Sequence, residues 1–327
     1  MVELALKWSF VAPAMVGAAF LFISLKMWRR ARIHREDNSS ITDEGGLGQA
    51  IPAVVGQWGV PSAMTVGYAM AHLGLRNNWV LIFPPTDARQ WILYFMPIVL
   101  VASVLKLILE SRLSDGARRL GEMVIYAIVF AMFFFLLLRP FVLNSWEGWK
   151  SATFIGGLTI AGVVLTGLLE TASRRMQGFG FLLPTGVYVA SCAAVFAFLG
   201  SISTAMQTGS VATLLGVLFL AIVVKRERWS VSAVVFPMMF LLLVNGCEVY
   251  FFAFSENPIP PLALLASFPI VMWIAIDIWP TTRRIGTGWI CGLVLTGVIL
   301  LPTGAAGWFA WRDFAEAAHS DPYADFK

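Results

Sequence analysis

Runs of about twenty apolar residues, separated by short polar stretches, follow one another along the whole chain. A helix crosses the hydrocarbon of a bilayer in roughly 20 residues. The pattern predicts ten spans, at 8 to 27, 50 to 73, 90 to 109, 121 to 143, 149 to 169, 178 to 200, 207 to 224, 231 to 254, 260 to 279 and 287 to 310. The expected fold is an all-α, polytopic membrane bundle in a single transmembrane domain, with a polar loop at 28 to 49 and a polar tail at 311 to 327. The second span is the least apolar. It carries Gln57, Pro61 and His72, and it either crosses fully or re-enters.

The basic residues lie in alternate loops. Lys26, Arg29, Arg30, Arg32 and Arg35 follow span one; Arg112, Arg118 and Arg119 follow span three; Arg174 and Arg175 follow span five; Lys225, Arg226 and Arg228 follow span seven; Arg283 and Arg284 follow span nine. Under the positive-inside rule these loops face the cytoplasm, which puts both termini on the other side. Removing or adding one span would move at least one cluster to the wrong face. Tryptophans such as Trp8, Trp28, Trp149, Trp279 and Trp308 mark the span ends, as an interfacial belt does. The first apolar run has its positive charge after it, not before it, so it is expected to be a retained helix and not a cleaved signal.

Composition agrees with this layout. The 327 residues are 58% hydrophobic and 13% charged, against about a quarter charged in soluble domains. The net charge of +4 collects in loops of one side, so it reports topology and attraction to anionic lipid; nucleic acid is not an expected partner. The expected setting is a plasma membrane or a bacterial inner membrane.

Cys192, Cys247 and Cys291 all fall within spans and have no metal-site or CxxC spacing, so they read as packing residues. The "GGLG" at 45 to 48 follows no strand and fails the dinucleotide spacing. No GxSxG elbow, HExxH or phosphate-binding loop occurs, so no catalytic residue, cofactor or metal is assigned. Small residues at four-residue spacing, such as Ala63, Gly67 and Ala71, predict close helix packing.

The candidate chemistry lies in the polar residues inside the spans. Glu248 stands in "NGCE", six residues from the outer end of span eight, and Asn245 shares its helix face. An acidic side chain at midspan costs about 3 kcal/mol, so it is expected to face protein or a partner. Arg139 lies at a similar depth in span four, and an ion pair with Glu248 would offset both burial costs. The competing reading is a protonatable or substrate-binding Glu248. In span two, Gln57, Pro61, Met64, Tyr68 and His72 fall on one helical stripe, as a substrate wall or a hydrogen-bonded helix interface would. Lys106 and Glu122 are near enough to the inner edge to reach water.

Two functions fit. One is a permease-like transporter of a small solute or proton, a class in which inverted repeats are common; "GLTIAGVVL" at 157 to 165 and "GLVLTGVIL" at 292 to 300 run in opposite directions here. The other is a non-transporting scaffold or accessory subunit with a membrane-protein partner or a second copy of itself. A cavity lined by Glu248 would favour the first, and a dry interior the second.

Overall fold

The computed structural model describes residues 7–38, 57–76, 83, 85, 90–176, 179–225, 231–252, 257–278 and 289–319. Among these there is no strand. A π-helical turn, Lys7–Val11, leads into α1 (Ala12–Asn38). Then come α2 (Gly59–Arg76), α3 (Trp91–Arg112), α4 (Asp115–Leu137), the short α5 (Arg139–Asn144) and α6 (Gly148–Arg175). The remainder is α7 (Phe179–Phe198), α8 (Ile202–Lys225), α9 (Ser232–Phe252), α10 (Ile259–Ala266), α11 (Phe268–Ile278) and α12 (Trp289–His319).

Nine stretches of described helix are long and apolar enough to cross a membrane, which is the pattern of a multi-pass membrane protein. The helix of the second expected span is not among them. Residues 50 to 56 of that span lie outside the described residues, and α2 carries Ser62, Thr65, Tyr68 and His72. Its polar face is nonetheless turned inward, because all four are buried.

Neighbouring helices form a ring in the order α1, α2, α3, α4, α6, α11, α12, α7, α8, with α8 returning to α1. Helix α9 stands inside it, against α2, α3, α6 and α8. Its sequence explains the position. A helix that is apolar all round is stable only where it is covered all round, and 78% of the apolar window of α9 is buried against 22% to 50% for the other eight. Phe236 and Phe240 anchor it: Phe236 stacks on Tyr126 of α4 at 4.6 Å, and Phe240 meets Phe133 of α4 edge-on at 5.1 Å. On the far side α2 lies close to α1 because Gly59 leaves no side chain; a Cβ there would sit 2.3 Å from the Ser24 Cβ.

Two expected spans are broken. Span four ends at Leu137, and Pro140, which has no N–H to continue the ladder, opens α5. Span nine is split into α10 and α11 beside Ser267. Pro269 gives no hydrogen bond to the Leu265 carbonyl one turn back. The Tyr188 hydroxyl of α7 donates to that carbonyl at 3.0 Å, and the Tyr188 ring stacks on Phe268 at 3.8 Å. Backbone freed by proline inside a bundle needs such a partner. Elsewhere the helices outrun the expected spans: α1 continues to Asn38 and α12 to His319, into the stretches expected as polar loop and tail.

Candidate functional site

Two polar assemblies lie at opposite ends of α9. The first is built where α2, α8 and α9 meet. In α9, Asn245 and Glu248 are three residues apart and share a face. In α2, Tyr68 and His72 are one turn apart. In α8, Thr204, Gln207 and Thr208 form a polar stripe on the first two turns. All seven are at most 3% exposed.

Their hydrogen bonds run across all three helices. The Tyr68 hydroxyl lies 2.8 Å from Asn245 Oδ1 and 3.2 Å from Gln207 Oε1, and its single proton serves one of them at a time. The Asn245 amide donates to Thr208 Oγ1 at 2.9 Å, and the Thr208 hydroxyl donates to the Thr204 carbonyl at 2.8 Å. The Thr204 hydroxyl in turn donates to Glu248 Oε2 at 3.2 Å and receives the Ser201 hydroxyl at 2.6 Å. Gln207 Nε2 is 2.9 Å from His72 Nδ1. When that amide donates, Nδ1 is the acceptor, so a proton placed on Nδ1 breaks the bond. The network is thus sensitive to the protonation of His72 at one end and contains a carboxylate at the other.

The second assembly ties α3, α4, α6 and the first turn of α9 together. Lys106 is 1% exposed, pairs with Glu170 of α6 and donates to the Ser232 carbonyl at 2.7 Å. Arg174 reaches Glu122 at 2.6 Å, Glu110 at 3.0 Å and Glu170 at 3.7 Å. Arg118 stands 3.9 Å from Glu122. The Tyr126 hydroxyl donates to Glu170 at 2.7 Å. Glu110, Glu122 and Glu170 therefore face Lys106 and Arg174, while Arg118 is shared between Glu122 and the exposed Asp115, which it meets at 2.9 Å.

Of the residues expected from sequence, Tyr68, His72, Asn245 and Glu248 come together. Two do not. Gln57 is half-buried at the other end of its helix, eleven residues and about 16 Å from Tyr68 at 1.5 Å per residue. Arg139 is exposed on α5, where the break at Pro140 turns it away from the bundle, and it makes no ion pair with the buried Glu248. The expected Arg139–Glu248 pair is replaced by the contact of Glu248 with Thr204. Lys106 and Glu122, expected at the wet edge, are instead buried in the charged assembly.

Thr204, Gln207 and Thr208 are not among the site residues expected from sequence. The signal was present as a polar stripe in "STAMQTGS", but span seven was expected to begin at 207, which left Thr204 outside the helix. The opposite face of α9 at the same turn, Gly246 and Cys247, borders a cavity of about 360 Å3 walled by α6, α7 and α10. Glu248 does not line it. Among the described residues no group of three or more His, Cys, Asp or Glu is placed to hold a metal ion. Compared with family models, curated proteins and solved structures, the chain matches none.

Proposed function

We propose that this chain is a permease-like protein of a plasma or bacterial inner membrane, with ten spans and both termini outside the cytoplasm. In this reading it moves protons, alone or with a small solute, with His72 and Glu248 as the groups that carry the proton and Tyr68, Gln207, Asn245 and Thr204 as the hydrogen-bonding groups around them. The observation that carries it is the buried hydrogen-bonded network on α2, α8 and α9, which holds two titratable side chains inside an apolar bundle. Ionisable residues at such depth are expensive, and chains of Glu and His mark proton relays. A proton, unlike a bulkier solute, needs hydrogen-bonding groups and not an open cavity, which suits residues at most 3% exposed.

The test is proton flux into liposomes carrying the full chain, driven by a potassium diffusion potential and read by an entrapped pH dye. Flux above protein-free liposomes that Glu248→Gln abolishes supports the reading; equal flux in the variant and the wild type contradicts it. A second reading, a non-transporting scaffold or accessory subunit, is favoured by the ion-paired assembly at the other end of α9 and by the close packing around Glu248. It predicts flux no greater than that of empty liposomes.

A further inference from the structure

The cavity on the apolar face of α9 is a slot. Its lining residues recur at helical spacing: Phe154, Leu158 and Leu165 on α6, and Tyr188, Cys192 and Phe196 on α7. Along α9 it extends from Met239 to Phe251, twelve residues or about 18 Å at 1.5 Å per residue. A volume of about 360 Å3 drawn out over that length is narrow. Nothing in it calls for a polar ligand, since the Tyr188 hydroxyl is already committed to the Leu265 carbonyl. Gly246 forms part of its floor, where a Cβ would meet nothing within 4 Å.

The slot is open at one end. At its mouth Ile259 is 57% exposed and Tyr250 38% exposed, both on the end of the bundle where α9 finishes and α6 starts. Lys150 stands one turn before Phe154 on the same side of α6, exposed and without an ion pair among the described residues. The acid nearest in sequence, Glu147, is turned to the Trp149 indole. Trp146 stacks on Phe154 at 4.8 Å, at the level where aromatic rings border head groups.

We propose that the slot holds one acyl chain of a phospholipid from the surrounding bilayer, with the Lys150 ammonium meeting the phosphate. Hydrocarbon gains no hydrophobic free energy by leaving other hydrocarbon. What retains the chain is dispersion contact along a lining that is otherwise unfilled, together with the charge of Lys150 at the mouth. This site is independent of the polar network, which faces away from it across α9.

The central position of α9 makes the test selective, because lipid around the bundle reaches the outer helices and not the floor of the slot. The full chain is placed in phosphatidylcholine bilayers containing a phosphatidylglycerol that carries a diazirine in its acyl chain, irradiated, and its adducts are mapped. The expected result is adducts on α9 between Met239 and Cys247, beside those on exposed residues of α12 such as Leu293 and Leu301. Gly246→Phe fills the floor and loses the α9 adducts. Ala263→Phe, at an exposed position on α10, does the same from the mouth with no demand on the core. Gly297→Phe on the lipid side of α12 keeps them. Lys150→Glu lowers the α9 yield relative to α12. Labelling of α12 without α9, or α9 labelling that survives both Phe substitutions, overturns the acyl-chain site. Equal α9 labelling by a diazirine diacylglycerol, which has no phosphate, overturns the assignment of the head group.

Discussion

The two ends of α9 solve the same problem, polar groups inside an apolar bundle, by different chemistry. At Ser232 the solution is charge against charge: Lys106, Arg174 and Arg118 face Glu110, Glu122 and Glu170 across three ring helices. At Asn245 and Glu248, thirteen and sixteen residues on, it is mostly neutral: amides, hydroxyls and an imidazole in a network with one carboxylate. The contrast separates two kinds of cost. A buried ion pair is held together by the penalty for breaking it, so the first assembly is suited to fixing helices in place. A neutral hydrogen-bonded network tolerates exchange of partners, because a hydroxyl gives and accepts at one oxygen and an amide can turn over, so the second is free to rearrange.

Removing a cation from the charged assembly should have the largest effect. Lys106→Met leaves Glu170 without its closest cation in a buried site, and loss of one partner of such a pair costs about 3–5 kcal/mol. The measurement is thermal unfolding of the purified protein in detergent, and a change under about 1 kcal/mol would break the comparison by showing that the assembly carries no structural load. Next comes Asn245→Leu at the other end. It strips the Tyr68 hydroxyl and Thr208 of a shared partner, with an expected loss of about 1–3 kcal/mol, in the same assay.

Glu248→Gln sharpens the contrast further. The amide keeps an oxygen for the Thr204 hydroxyl, so stability should change by less than about 1 kcal/mol while proton flux is lost. A large loss of stability with flux retained would place Glu248 among the structural residues. The smallest effect belongs to Arg139→Gln, expected within about 0.5 kcal/mol of wild type because the side chain is exposed. Combined with Glu248→Gln it should be additive, and coupling above about 0.5 kcal/mol would restore the ion pair that the structure does not form.

The helices were legible because each apolar run had to be long enough for a bilayer, whereas the central place of α9 was not. Asn245 and Glu248 were conspicuous as polar residues inside an apolar run, as were Tyr68 and His72 on a stripe of α2. What the sequence hid was adjacency. Nothing in one chain says that α8 packs against both α2 and α9, so Thr204 and Gln207 looked like ordinary polar residues near a span end. Lys106 and Glu122 misled because each is near enough to a terminus to reach water alone; only the packing of α3 on α4 and α6 supplies counter-charges that keep them inside. Arg139 misled in the opposite sense, since depth counted along a straight helix fails where Pro140 breaks it.

Central to the proposed proton movement is a Glu248 carboxyl that takes up and releases a proton. Infrared difference spectra of the purified protein, taken between acid and alkaline buffer, read this directly through the carbonyl stretch of a protonated carboxyl group. The account predicts such a band in the wild type that is absent from Glu248→Gln and unchanged in Glu122→Gln. A band that survives Glu248→Gln and disappears in Glu122→Gln would contradict it.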